Sequence, residues 1–287
     1  MRTTRPVGGV SFSNEGRVLL VTGGGQGIGN AIARAFADTG GTSAVMEVNE
    51  TLRENVEPWG EFIAGNVADP DDCRRVVRHV VERFGGLDVL VPNAVIEGPE
   101  SYRRPHEYDT DIWRRYVDVN FTGMQNIAQA AIPVMLQQQL GYIVIISSVQ
   151  GVAGARQSSL YAATKAATRS FIDTWATSYA RDGIRVNGIL PGAILTEGMV
   201  PKLSGQGGMR DLANRHARGC LGLPEEVALL ALALSSPVAA NIFGSAVRCD
   251  GGLLSSPPFD TPFDPDTLPE QPTPRWQQEQ VVAASAT

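Results

Sequence analysis

Lysine is almost missing from this chain of 287 residues: Lys165 and Lys202 are the only two, and arginine supplies the rest of 24 basic side chains against 30 acidic ones. The net charge of −6 and the lack of any basic stripe exclude nucleic acid as the main partner, since phosphate binding needs grouped Lys and Arg. Cysteine is nearly as rare. Cys73, Cys220 and Cys249 are isolated and odd in number, which reads as reduced thiols of a cytoplasmic protein and not as a disulfide or zinc framework. No metal site is expected. No run approaches about 18 uninterrupted apolar residues, so no transmembrane helix is expected. The amino terminus, MRTTRPVGGVSFSNEGR, has no apolar core of a signal peptide. No internal repeat of solenoid period is present.

What is there suits an ordinary globular domain, with 43% hydrophobic and 19% charged residues. Seven apolar runs read as strands: RVLLVT, TSAVME, EFIAGN, LDVLVP, GYIVIIS, IRVNGIL and SAVRCD. Helical patterns lie between them, at about 28–38, 71–84, 111–138, 159–181 and 224–234. This alternation predicts an α/β fold, a doubly wound parallel sheet covered by helices on both faces. The domain is expected over 17–256, preceded by a loose arm at 1–16. A tail at 257–287, rich in Pro, Asp and Gln, is expected to be disordered or draped over the surface. Packing of Phe259, Phe263 or Trp276 onto a neighbouring subunit is the alternative for that tail.

The densest chemistry lies in SSVQGVAGARQSSLYAATK, where Ser148 ends an apolar run and Tyr161 precedes Lys165 by four residues. Residues at i and i+4 share a helix face, so the Lys165 ammonium is expected beside the Tyr161 phenol. A free phenol, with a pKa of about 10, is a poor base at neutral pH. A unit charge at about 4 Å contributes roughly 4 kcal/mol at an effective dielectric of 20, enough to bring the phenol into the working range of a general base. Upstream, TGGGQGIG joins the first strand to the first helix, so that Gly23, Gln26, Gly27, Ile28 and Gly29 form a loop able to approach a pyrophosphate. Glu47, at the end of the second strand, is placed to accept hydrogen bonds from the adenosine ribose and to repel a 2′-phosphate. Gln26 and Val48 stand where a basic side chain would greet that phosphate, which favours NAD as cofactor; Arg53 is the one nearby cation.

Taken in order, these motifs resemble the short-chain dehydrogenase/reductase family over about residues 17–254. TGGGQGIG is similar to its TGxxxGIG loop, PNA at 92–94 to its NNAG segment, PGAILT at 191–196 to its PGxxxT, and DGG at 250–252 to its closing strand. Ser148, Tyr161 and Lys165 match its catalytic motifs, and Asn120 in VNFTG matches its helix asparagine. The resemblance implies a seven-stranded parallel sheet and hydride transfer at a carbon bearing oxygen. It further implies that Asn66, Val67, Asn93, Pro191, Gly192, Ile194 and Thr196 touch the dinucleotide, with Tyr161 and Lys165. Tyr161 would move the proton, Ser148 would hold the substrate oxygen, Lys165 would bias the phenol and bond the nicotinamide ribose, and Asn120 would hold a relay water. Two departures stand out. Val95 replaces the NNAG glycine and would crowd the cleft floor, and Asn66 replaces an aspartate that contacts adenine.

By the same analogy, the substrate faces Val95, Ile96, Glu97, Gln150, Arg156, Ala193 and the segment 199–216, a set suited to a medium-sized, largely apolar secondary alcohol or ketone. Apolar faces on the helices carrying Asn120 and Tyr161 imply a homotetramer, with a dimer as second reading. The rival readings are an NADPH-dependent ketone reductase, an idle cofactor-sensing regulator and a nucleotide-fold methyltransferase. The last two give no reason for the Tyr161 and Lys165 pairing.

Overall fold

Each strand places alternate side chains into two separate cores, which explains why the strand runs are continuously apolar. Along Val18–Thr22 (β1), Val18 and Leu20 join one core while Leu19 and Val21 join the other. The same alternation recurs in Thr42–Glu47 (β2) and Gly141–Ile146 (β5). The computed structural model describes residues 10–201, 208–255 and 270–279. Its sheet has seven parallel strands in the order β3-β2-β1-β4-β5-β6-β7, with β3 at Glu61–Ala64, β4 at Val89–Val91, β6 at Ile184–Pro191 and β7 at Ala246–Cys249. The expected fold class is therefore the observed one.

The helices cover both faces. Gly27–Asp38 (α1) and Pro224–Leu234 (α7) seal one core through Ile32, Phe36, Val227 and Ala231. Pro70–Phe84 (α2), Gly123–Gln138 (α4) and Ser159–Tyr179 (α5) seal the other through Val76, Val80, Ile127, Met135 and Ile172. The chain leaves β1 in one direction and β4 in the other, so a crevice opens between their carboxyl ends.

Three local features differ from the sequence reading, and the tail adds local detail. The helix expected over 111–138 is interrupted: Thr110–Val117 (α3) runs into a π-turn at Asp118–Thr122 before α4 begins. Gly208–Ala213 (α6) adds a short helix to the segment 199–216. The amino-terminal arm is not loose at its end, because the Asn14 backbone N–H and side-chain amide donate to the Thr39 carbonyl (2.8 Å) and hydroxyl (2.7 Å). In the tail, residues 275–279 are helical, and the segment lies along α1 through Arg275 with Asp38 (2.7 Å) and Glu279 with Arg34 (3.0 Å). Trp276 there is half-buried; Phe259 and Phe263 fall outside the described residues.

Candidate active site

The loop from β1 into α1 is held against the end of β4 by close backbone contact. Gly23 has φ +65°, and a Cβ on it would come within 2.7 Å of the Ala94 Cα. At Gly29 a Cβ would meet the Gly23 carbonyl oxygen and Asn93 Nδ2, each at 2.5 Å. Glycine is required at both by space. Asn93 braces the loop from beneath, donating from Nδ2 to the carbonyls of Thr22 (3.0 Å) and Gly23 (2.8 Å). The Thr22 hydroxyl in turn accepts from the backbone of Asn93 and Ala94, both at 3.1 Å.

The amides of this loop face anions. Gln26 precedes α1 without capping it, no acidic residue lies in the first turn, and the Gly27 N–H donates across the cleft to Glu197 Oε2 at 3.2 Å. A carboxylate of the chain itself thus occupies the positive end of the helix, the place where a phosphate oxygen is held in dinucleotide sites. Thr196 stands alongside, its Cγ2 at 3.4 Å from where a Gly27 Cβ would be. The residues fit a nicotinamide dinucleotide on this ground.

At the adenosine end, Glu47 is fixed by three backbone amides: Gly25 at 3.2 Å, and Val48 and Asn49 at 3.0 Å each. Arg53 is turned away from it, paired with Glu50 and Glu57 at 3.2 Å and lying 4.4 Å above the Phe62 ring. Asn66 uses Oδ1 to accept from Ala68 N (3.0 Å), while Val67 is packed into the core with its carbonyl bonded by Asn126 (3.0 Å). Ile28 and Gln26 line the cleft, as do Pro191 and Gly192 at the end of β6 and Ile194, most of whose side chain is in the core.

The catalytic candidates meet at the other end of the same cleft, whose volume is about 1410 Å³. Ser148 ends β5 by capping a 3-10 turn at Val149–Gly151, its hydroxyl accepting from Gln150 N at 3.1 Å and bonding the Tyr161 phenol. Ser147 points the other way, donating to the Lys165 carbonyl at 2.8 Å and so tying β5 to α5. Lys165 is buried, with Nζ donating to the Ile146 carbonyl at 2.9 Å and 5.7 Å from the Tyr161 ring centre. Burial pulls its pKa down to about 8, opposed by the Glu97 carboxylate.

The expected acidification of Tyr161 by Lys165 is not found in this cleft. Burial pushes the phenol above its ordinary value, Glu97 adds to the rise, and only the Ser148 hydrogen bond opposes it. Burial is the larger cause and the Glu97 carboxylate the second, while the Lys165 ammonium keeps its charge as it donates to the Ile146 carbonyl. Both polar atoms of the buried Asn120 side chain are engaged by Ile96, Oδ1 accepting at 2.8 Å and Nδ2 donating at 3.0 Å.

On the substrate side, Val95 lines the cleft and remains 40% exposed, so it narrows the opening without packing into the core. Ile96, Glu97, Gln150, Arg156 and Ala193 line it too, as do Met199, Leu212 and Arg215 from the segment 199–216. Within that segment His216 does not face substrate. It is buried, its Nε2 taking the Ala193 N–H (3.4 Å) and its Nδ1 bonding the Leu212 carbonyl (2.9 Å), and burial lowers its pKa. Tyr102 and Glu197 were not foreseen as site residues, because neither lies in a motif that spacing reveals.

A family model described as enoyl-(acyl carrier protein) reductase matches residues 23–254. The chain is similar to the 3-oxoacyl-[acyl-carrier-protein] reductase FabG of Thermotoga maritima, 36% identical over 248 residues that cover 84% of this chain and 98% of that protein. It is also similar to an L-rhamnose 1-dehydrogenase (NAD(P)(+)) from a Sphingomonas species, 34% identical with 83% and 96% covered. Among solved structures, the aldohexose dehydrogenase of Thermoplasma acidophilum superposes with a TM-score of 0.80 at 30% identity, over 87% of this chain and 98% of that one.

Proposed function

Because the chain belongs to the short-chain dehydrogenase/reductase family, whose members are oxidoreductases of alcohol and ketone groups, we propose that it passes hydride between NAD(H) and a medium-sized secondary alcohol or ketone with a largely apolar body. The observation that carries this reading is one cleft holding both the anion-facing glycine loop and the Ser148, Tyr161 and Lys165 group. The nicotinamide ring supplies the hydride acceptor or donor when bound. Ser148 fixes the substrate oxygen by a hydrogen bond and stabilises charge on it. Tyr161 exchanges the proton at that oxygen, and Lys165 holds positive charge behind the phenol.

The choice of NAD rests on Glu47 at the end of β2 and on Arg53 being neutralised by two carboxylates away from the cleft. A second reading, use of NADP, is favoured by the name of the rhamnose-oxidising relative, which carries both cofactors. Steady-state kinetics with each cofactor over a panel of cyclic alcohols tests the assignment. A higher kcat/KM with NAD supports it, and a higher value with NADP overturns it.

The functional unit we assign is a homotetramer paired through α4 and α5, where Leu136 on α4 is exposed and Phe171 on α5 is half-buried in a stack with Phe121 and Trp175. The three cysteines are unpaired, which suits the reducing cytoplasm. No helix among the described residues is long and apolar enough to cross a membrane, and no group of metal-binding side chains occurs among them.

A further inference from the structure

Residues 270–279 lie past residue 254, where the match to the family ends, and neither the proton nor the hydride chemistry calls for them. They are nonetheless docked. Pro274 is buried, the Arg275 backbone N–H donates to Glu225 Oε1 in the first turn of α7 at 2.9 Å, and the Arg275 side chain pairs with Asp38 at the end of α1. Gln271 makes the contact that leads back to the cleft. Its Oε1 accepts from the Leu221 backbone N–H at 2.7 Å, and its Nε2 donates to the Leu221 carbonyl at 3.3 Å. Leu221 is 0% exposed, and these two backbone groups have no other partner among the described residues. Its side chain forms the third core with Leu195 and Ala213, on which the cleft-lining Ala193 and Leu212 pack. The next residue, Gly222, donates to the Ala193 carbonyl at 2.9 Å and accepts from the Leu195 N–H at 2.8 Å, a parallel bridge outside the main sheet. Thr196 and Glu197 follow directly and line the cleft beside the glycine loop, where Glu197 takes the Gly27 N–H.

We propose that residues 270–279 form a strap that holds this wall of the cleft from behind, with Gln271 as the positioning residue that sets how tightly the dinucleotide is bound. The wall is weak by itself. Its bridge has two hydrogen bonds, and α6, at six residues, is too short to hold its shape without packing. A buried amide and carbonyl left unpaired carry a desolvation cost that folded chains avoid. Gln271 removes that cost for both groups of Leu221 only when Leu221 sits in its place in the wall, so the strap favours the arrangement that puts Thr196 and Glu197 at the glycine loop. Ser148, at the end of β5, and Tyr161 and Lys165, on α5, stand outside this chain of contacts. The strap therefore bears on binding and not on the proton step. Its effect on affinity rests on the proposed dehydrogenase reading; its effect on local order does not.

The test compares full-length wild type, Gln271→Ala and Gln278→Ala by backbone amide hydrogen exchange without ligand and by NADH titration followed by fluorescence. Gln278 lies on the same strap but bonds only the Thr273 carbonyl within it (2.9 Å), so Q278A is the control. Thermal unfolding reports that each variant is folded. In Q271A the Leu195 and Gly222 amides should exchange faster while those of β5 and α5 keep their wild-type rates. Its Kd for NADH should rise on the order of fivefold, the loss that follows when the binding-competent wall is populated only in part. Gln271→Glu keeps the acceptor and loses the donor; it should fall between Q271A and wild type, and it stands in for Q271A if that variant does not fold. Leu195 and Gly222 amides that exchange at wild-type rates in the folded variant, or a Q278A that matches Q271A in both readouts, overturn the strap. An unchanged Kd in Q271A, with a wild type that binds NADH, overturns the positioning role and leaves the dehydrogenase reading intact. A wild type that binds no NADH counts against that reading, and amide exchange then decides the strap alone.

Discussion

Tyr161 and Lys165 show how far spacing alone determines chemistry. Four residues apart on α5, they share a face as helix geometry requires, and both reach the cleft. The electrostatics come from elsewhere: burial and the Glu97 carboxylate oppose ionisation of the phenol, and the Lys165 ammonium is anchored on the Ile146 carbonyl. Neither partner is near in sequence, so the sign of the Tyr161 shift was not legible there. The consequence is a pH dependence. A phenol with a raised pKa stays protonated through neutral pH, so the base needed for alcohol oxidation appears only as pH rises. The kcat/KM for oxidation should therefore climb from pH 7 into the alkaline range, while ketone reduction, which needs the protonated phenol, should not gain. Measured pH–rate profiles in both directions check this, and an oxidation rate that is flat across neutral pH would contradict it.

Among the elements, the strands and the five long helices were legible because burial on two faces writes continuous apolar runs and capping writes recognisable ends. Asp69 and Pro70 at the start of α2, with Gly85 in a left-handed conformation at its close, are such marks. The π-turn at Asp118–Thr122 leaves no such mark. It arises where Asn120 leaves the helix pattern to bond Ile96, a contact 24 residues back along the chain. The 3-10 turns and α6 are short enough that periodicity gives no signal for them. The pairing proposed for α4 and α5 is a claim at this scale. Sedimentation velocity should give a tetramer; a purely monomeric species would remove the apolar helix faces as interfaces.

For the molecule as a whole, the site exists because the strand order reverses between β1 and β4. That reversal brings the glycine loop, Glu47 and the β5–α5 residues, which are far apart in sequence, to one crevice. The motif residues could be recognised in the sequence because each answers to a local demand: a close backbone approach, a helix spacing, a strand end. Glu97, Tyr102, Glu197 and His216 could not be assigned these roles, because their parts are set by partners brought near only by the completed fold. The tail is a similar case. Draping over the surface is one of its two expected forms, but its partners, α1 and, through Gln271 at 2.7 Å, the Leu221 backbone, are distant in sequence.

The central claim is that Tyr161 carries the proton in a hydride transfer performed in this cleft. Tyr161→Phe removes the phenolic oxygen and little else, so turnover of an accepted alcohol should fall by about 10²–10⁴-fold while NADH still binds. Turnover within a few-fold of wild type in that variant would contradict the account.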